Sequence, residues 1–200
     1  VANAAAGGLQ GANPGRADVP LIGFTPVPVA EGTGPVPQIS ADYTYEVVLS
    51  WGDELYPGSV AGVGQPYDGD PTRRPTAAEQ ERLIGIGHDG MTFFPSRLRP
   101  NGEGMLCLNH EFGTNAHVFG KSAPTSLEDV RVSQHAHGAS VIALKKTGGK
   151  WQTTYSPHAR RIHANTPVAF SGPAAGHALL ANGANNAPQG TLNNCANGQT

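Results

Sequence analysis

Charge is scarce in this sequence. Asp, Glu, Lys and Arg supply 14% of the 200 residues, and the formal net charge is -2. A chain this close to neutral lacks the basic footprint of a nucleic-acid binder, so no nucleic-acid partner is expected. Long apolar runs are missing too. No stretch approaches the ~18 uninterrupted apolar residues of a membrane-spanning helix. Cysteine is limited to Cys107 and Cys195. Two thiols allow one disulfide but no disulfide scaffold, and each could equally be buried and inert. Several catalytic signatures are also absent. The sequence has no Gly-x-Ser-x-Gly elbow, no His-Glu-x-x-His helix, no Walker-type loop and no dinucleotide fingerprint. Their absence argues against common serine hydrolases, zincins and nucleoside triphosphatases. The first residues, Val1-Ala2-Asn3-Ala4-Ala5-Ala6, lack the basic and apolar regions of an intact signal peptide. Such a small-residue run fits what a signal peptidase leaves behind, or an ordinary terminus.

Glycine (27) and proline (17) are plentiful, at about twice average usage together. Such a chain is expected to be rich in turns and poor in long helices, with loops that carry function. Residues 1–38 hold Pro20, Pro26, Pro28, Pro35 and Pro37. Prolines at this density block ladders and helices, so an extended arm is expected there. From residue 39 onward short strands dominate the expectation. They are Tyr43 to Trp51, Leu83 to Ile86, Met91 to Phe94, Gly104 to Leu108, and part of Arg161 to Phe170. Gly138 to Leu144 and Trp151 to Tyr155 form an expected hairpin, because Gly148-Gly149 supplies the pair that tight hairpin turns use. One short helix is expected through Arg82, since Thr76-Ala77-Ala78-Glu79 has capping-box spacing. Ser171 to Thr200 reads as a long loop. The fold class is therefore all-β, with sandwich, barrel and propeller all open at this point.

The most unusual tract is Leu106-Cys107-Leu108-Asn109-His110-Glu111. An apolar strand runs directly into three polar side chains. Strand alternation sends Asn109 and Glu111 to one side and His110 to the other. A neutral oxygen beside a carboxylate suits a hard cation such as calcium, whereas a polar strand end needs no ligand at all. Asp89 stands between Gly87-His88 and Gly90. It is either a cation ligand or the first residue of an Asp-Gly turn. Cys195 sits in the polar stretch Asn193-Asn194-Cys195-Ala196-Asn197-Gly198. It is a candidate thiolate ligand or a spare loop thiol. His135 and His137 flank Ala136 and would share one face of an extended segment, as in some zinc and iron sites, or be an exposed pair.

Taken in order, several segments resemble the PhoX family of secreted alkaline phosphatases. They are Pro20 to Val27, Trp51-Gly52-Asp53, Asp89 with Phe93-Phe94-Pro95, Asn109-His110-Glu111, and His137 to Val141. Arg161-Ile162 with Thr166-Pro167, Ser171 to His177, and Asn194-Cys195-Ala196-Asn197-Gly198 complete the series. One departure is local: Ile84-Gly85-Ile86-Gly87-His88 stands where family members more often carry an aromatic and asparagines.

The resemblance implies metal-dependent hydrolysis of phosphomonoesters with an iron and calcium cluster, and a periplasmic or secreted location. It implies Asn109, Glu111 and Cys195 as metal ligands, with Asp89 near the cluster. It also implies a β-propeller, of about six blades. At about 40 to 50 residues per blade, residues 39–200 have room for roughly three or four. A second chain or further sequence is therefore expected to complete the ring. The rival expectation is a non-catalytic secreted propeller that uses calcium for rigidity and binds a partner or builds a surface assembly.

Overall fold

Gly148 and Gly149 take φ of 60° and 85°, the left-handed backbone that a two-residue hairpin turn demands and that glycine adopts without strain. The turn joins β3 (Gly138–Thr147) to β4 (Lys150–Thr154), with Thr147 opposite Lys150. The computed structural model describes residues 23–29, 32–34, 36–60, 73–180 and 188–198. Its elements run α1 (Ala77–Gln80), β1 (His88–Pro95), β2 (Glu103–His110), α2 (Asn115–Phe119), α3 (Leu127–Ala136), β3, β4 and β5 (Arg160–Ile162). The strands form one antiparallel sheet in the order β1-β2-β3-β4. β5 pairs with the start of β3, at Ala139 to Val141, while β4 pairs with its end.

Alternation on these strands separates two faces. Phe93, Leu106, Leu108, Ile142 and Leu144 pack with Leu55, Ile84 and Trp151 into the main core. The register places Leu106 opposite Ile142, and Leu108 opposite Ser140. The other face of β2 carries Cys107 and Asn109, and its direction continues to Glu111 just past the strand. A second cluster, Ala77, Val118, Val132 and Ala136, joins the three helices.

Local signals set the helices. α1 begins at a Thr76 capping box with Glu79, as its spacing predicts. α3 begins at a second box, Ser126 with Asp129. Asp129 also accepts Lys121 Nζ at 2.8 Å and the Thr125 N–H at 2.7 Å. The far end of α3 is closed by Arg161, whose guanidinium donates to the carbonyls of His135 (2.8 Å), His137 (3.0 Å) and Ala139 (2.6 Å). Helix carbonyls carry partial negative charge, so they suit a buried cation.

The chain divides into two units, Val1–Glu46 and Val47–Thr200. Most of the expected arm, through residue 22, lies outside the described residues. Within the first unit the Asp42 carboxylate accepts the Thr25 N–H and the hydroxyls of Thr25 and Ser40. These bonds hold that carboxyl below its ordinary range.

Three expectations need correction. Tyr43 to Trp51 is not a strand: Tyr43, Tyr45, Val47 and Val48 are exposed and have no ladder neighbour among the described residues. Strand propensity without a pairing edge does not make a strand. Leu83 to Ile86 is core, not strand. Leu83 and Ile84 are buried, and among the described residues a single bridge, Glu54 to Leu83, forms there. The strand expected within Arg161 to Phe170 is present at its start, as the three residues Arg160–Ile162. α2 and α3 occupy a region for which no helix is expected.

Candidate metal centre

Register on the β1–β2 ladder builds the site. His88 lies opposite His110 and Met91 opposite Leu108, so Asp89 and Gly90 together face the single residue Asn109. This is a β-bulge, which bends a strand and re-aims one side chain. Its effect is to bring Asp89 beside Glu111, across the strand end.

The third component arrives from the C-terminal stretch. The Cys195 carbonyl accepts the Gly90 N–H at 3.1 Å and Asn109 Nδ2 at 3.0 Å. Asn109 Nδ2 also reaches the Ala196 carbonyl at 3.4 Å. A Cβ on Gly90 would stand 2.5 Å from the Cys195 carbonyl oxygen, so only glycine admits this approach. The result is a group of three donors. Ligand atoms of Asp89, Glu111 and Cys195 lie within 4.8 Å of one another.

The electrostatics of the group favour a cation. Cys195 shares hydrogen bonds with Asp89 and Glu111, and these push its thiol up to about 11. The same thiol, and then Glu111, hold the Asp89 carboxyl below its ordinary range. Without a cation the thiol stays protonated beside the two carboxyl groups. A cation among the three would relieve their repulsion and lower the thiol pKa, as metals do for coordinating thiols. Two oxygens and one sulfur form a fitting donor set for a metal.

Of the four sequence-predicted ligands, the structure gathers Asp89, Glu111 and Cys195 into this group. Asn109 adjoins it, with its Nδ2 turned to the loop carbonyls, so Oδ1 is the atom it has left for a cation. His110 points into the core and is fully buried. Its Nε2 lies 2.7 Å from Ser140 Oγ, which also accepts Arg161 at 3.2 Å. Burial, then the Arg161 charge, push His110 down to about 2, so its ring is neutral. Its Nδ1 is buried with no partner.

His135 and His137 do not form a metal pair. His135 lies in the last turn of α3 and its Nδ1 bonds the Ala77 carbonyl at 2.8 Å, while His137 caps the helix and reaches the Ser133 carbonyl. Thr92 also meets this loop: Asn197 Nδ2 donates to its Oγ1 at 2.8 Å. Nothing local to β1 marks Thr92; only the docked loop does.

Residues 22–200 match the family model described as alkaline phosphatase PhoX. The chain belongs to the PhoX family. One solved structure is similar to this PhoX-family chain: Pseudomonas fluorescens PhoX in complex with vanadate, a transition state analogue. It is 34% identical with a TM-score of 0.71, and the match covers 82% of this chain and 28% of that one. None of the curated proteins compared matches. The match covers little more than a quarter of the solved relative. Among the described residues no helix is long and apolar enough to cross a membrane.

Proposed function

We propose that this chain contributes part of the active centre of a metal-dependent phosphatase that hydrolyses phosphomonoesters. The observation that carries the proposal is the convergence of Asp89, Glu111 and Cys195 within 4.8 Å in a chain of the PhoX family. Asp89 and Glu111 offer the hard oxygens that calcium takes, and Cys195 offers the soft thiolate that favours iron. Asn109 adds a neutral oxygen at the rim. A cation bound there would supply positive charge to phosphoryl oxygens as negative charge develops on them.

The chain's own residues do the rest. The bulge aims Asp89, the end of β2 aims Glu111, and the Gly90 and Asn109 donors hold Cys195 between them. The five-stranded antiparallel sheet serves as part of a β-propeller. Further sequence or a second chain completes both the ring and the ligand set. A periplasmic or secreted location accords with this reading.

Hydrolysis of p-nitrophenyl phosphate by the purified native protein, before and after chelation, tests the proposal. Turnover should disappear with chelator and return when iron and calcium are restored. Metal-replete protein with no turnover would leave the non-catalytic calcium-stabilised propeller standing.

A further inference from the structure

Cys195, Ala196, Asn197 and Gly198 are exposed and belong to no helix or strand. Apolar burial therefore contributes little to where the thiol sits. Upstream, the segment is pinned at the Gly190 N–H, which donates to the Thr166 carbonyl, and at the bridge of Gln189 with Pro167. Between that anchor and the thiol the backbone passes through Asn193 at φ 55°, a turn conformation with no ladder to hold it. Placement of Cys195 then falls to hydrogen bonds with the sheet.

Those bonds are of two kinds. Gly90 and Asn109 both donate to the backbone at Cys195, and Asn109 also reaches Ala196. They hold the segment at one level, at Cys195 and Ala196. The second point of attachment is the side-chain bond from Asn197 to Thr92, at 2.8 Å. Thr92 lies opposite Cys107 within the regular part of β1, beyond the bulge. A β-branched side chain on a strand has few χ1 choices, so its Oγ1 is delivered to a fixed place.

We infer that Thr92 and Asn197 are a positioning pair that sets the rotation of the loop, and so keeps the Cys195 sulfur at Asp89 and Glu111. The inference rests on the metal-centre reading above. Neither side chain touches the cation; both act through the loop backbone.

The test uses the purified native protein and the variants Thr92→Val, Thr92→Ser and Asn197→Ala, with the double variant Thr92→Val/Asn197→Ala. Iron retention is read by competition with a chelator. Thr92→Val and Asn197→Ala each weaken it about tenfold, in the range found for residues that orient metal ligands. Thr92→Ser keeps the hydroxyl but loses the branch that fixes it, so its affinity lies between that of Thr92→Val and wild type. The double variant is no weaker than either single one, since one bond is removed once. In metal-free protein, maleimide labels Cys195 faster in Thr92→Val than in wild type, as read on the Cys195 peptide by mass spectrometry. Unchanged labelling of Thr92→Val, or additive losses in the double variant, overturns the pair. Failure of the metal-centre reading looks different. Cys195→Ser then keeps wild-type iron, while the metal-free labelling comparison still decides the pair.

Discussion

Asn109 and Cys195 stand 86 residues apart in sequence, yet the side-chain amide of one donates to the carbonyl of the other at 3.0 Å. That bond places a loop thiol over the end of β2, next to Glu111. It also gives Asn109 a role besides that of a cation ligand: it helps to present one.

Gly90→Ala tests how close this docking is. Its new Cβ would meet the Cys195 carbonyl at 2.5 Å, too close for any real contact, so the loop must lift. Bound metal should fall by about tenfold or more, as when a group that orients a ligand is lost. The melting temperature should barely move, because Gly90 lies on the edge strand and outside the core. Elemental analysis beside a thermal melt checks both halves.

Asn109 and Glu111 sharing a side, the Gly148-Gly149 turn and the Thr76 cap were all legible in the sequence. Each depends on residues within a few positions of one another. The bulge was not, because Asp89 and Gly90 reveal it only when the β2 register is known. α3 is not legible there, although Ser126 and Asp129 have capping-box spacing. Its Val130, Val132, Ser133 and His135 are indifferent helix formers. What holds α3 is distant: Lys121 on Asp129, and Arg161 on the last carbonyls. Cys195 was legible as a candidate from its polar setting and the family resemblance, but no local pattern said where it docks.

Arg161 is the tertiary clasp for α3, β3 and β5. Burial pulls its pKa down to about 9, which leaves it charged at neutral pH. Arg161→Lys cannot span the carbonyls of His135, His137 and Ala139 together, because an ammonium lacks the planar fork. The variant should lose on the order of 1–3 kcal/mol, the range for buried acceptors left unpaired. Denaturant unfolding measures it.

Acid should destabilise the fold. Burial, then the charges of His135 and Arg161, pull His163 down to about 4. Glu81 lies 3.8 Å away but is exposed, so its opposing pull is weak. The unfolded chain takes up this proton near pH 6.5, and the folded one only near 4. Stability is therefore lost as pH falls from about 6.5 to 4. Asp129, held low first by Lys121 and then by the Thr125 N–H, adds a further loss below about pH 4. His163→Gln should make that decline shallower without abolishing it, because buried His110 takes up its own proton on unfolding in the same range; thermal melts across pH read the change.

The most direct test of the metal centre is Cys195→Ser, with iron content and p-nitrophenyl phosphate turnover measured on the same purified sample. A serine keeps the loop and its backbone hydrogen bonds but removes the soft donor. Iron and turnover should fall together, with folding intact by circular dichroism. Wild-type iron with undiminished turnover would contradict the assignment of Cys195 to the centre.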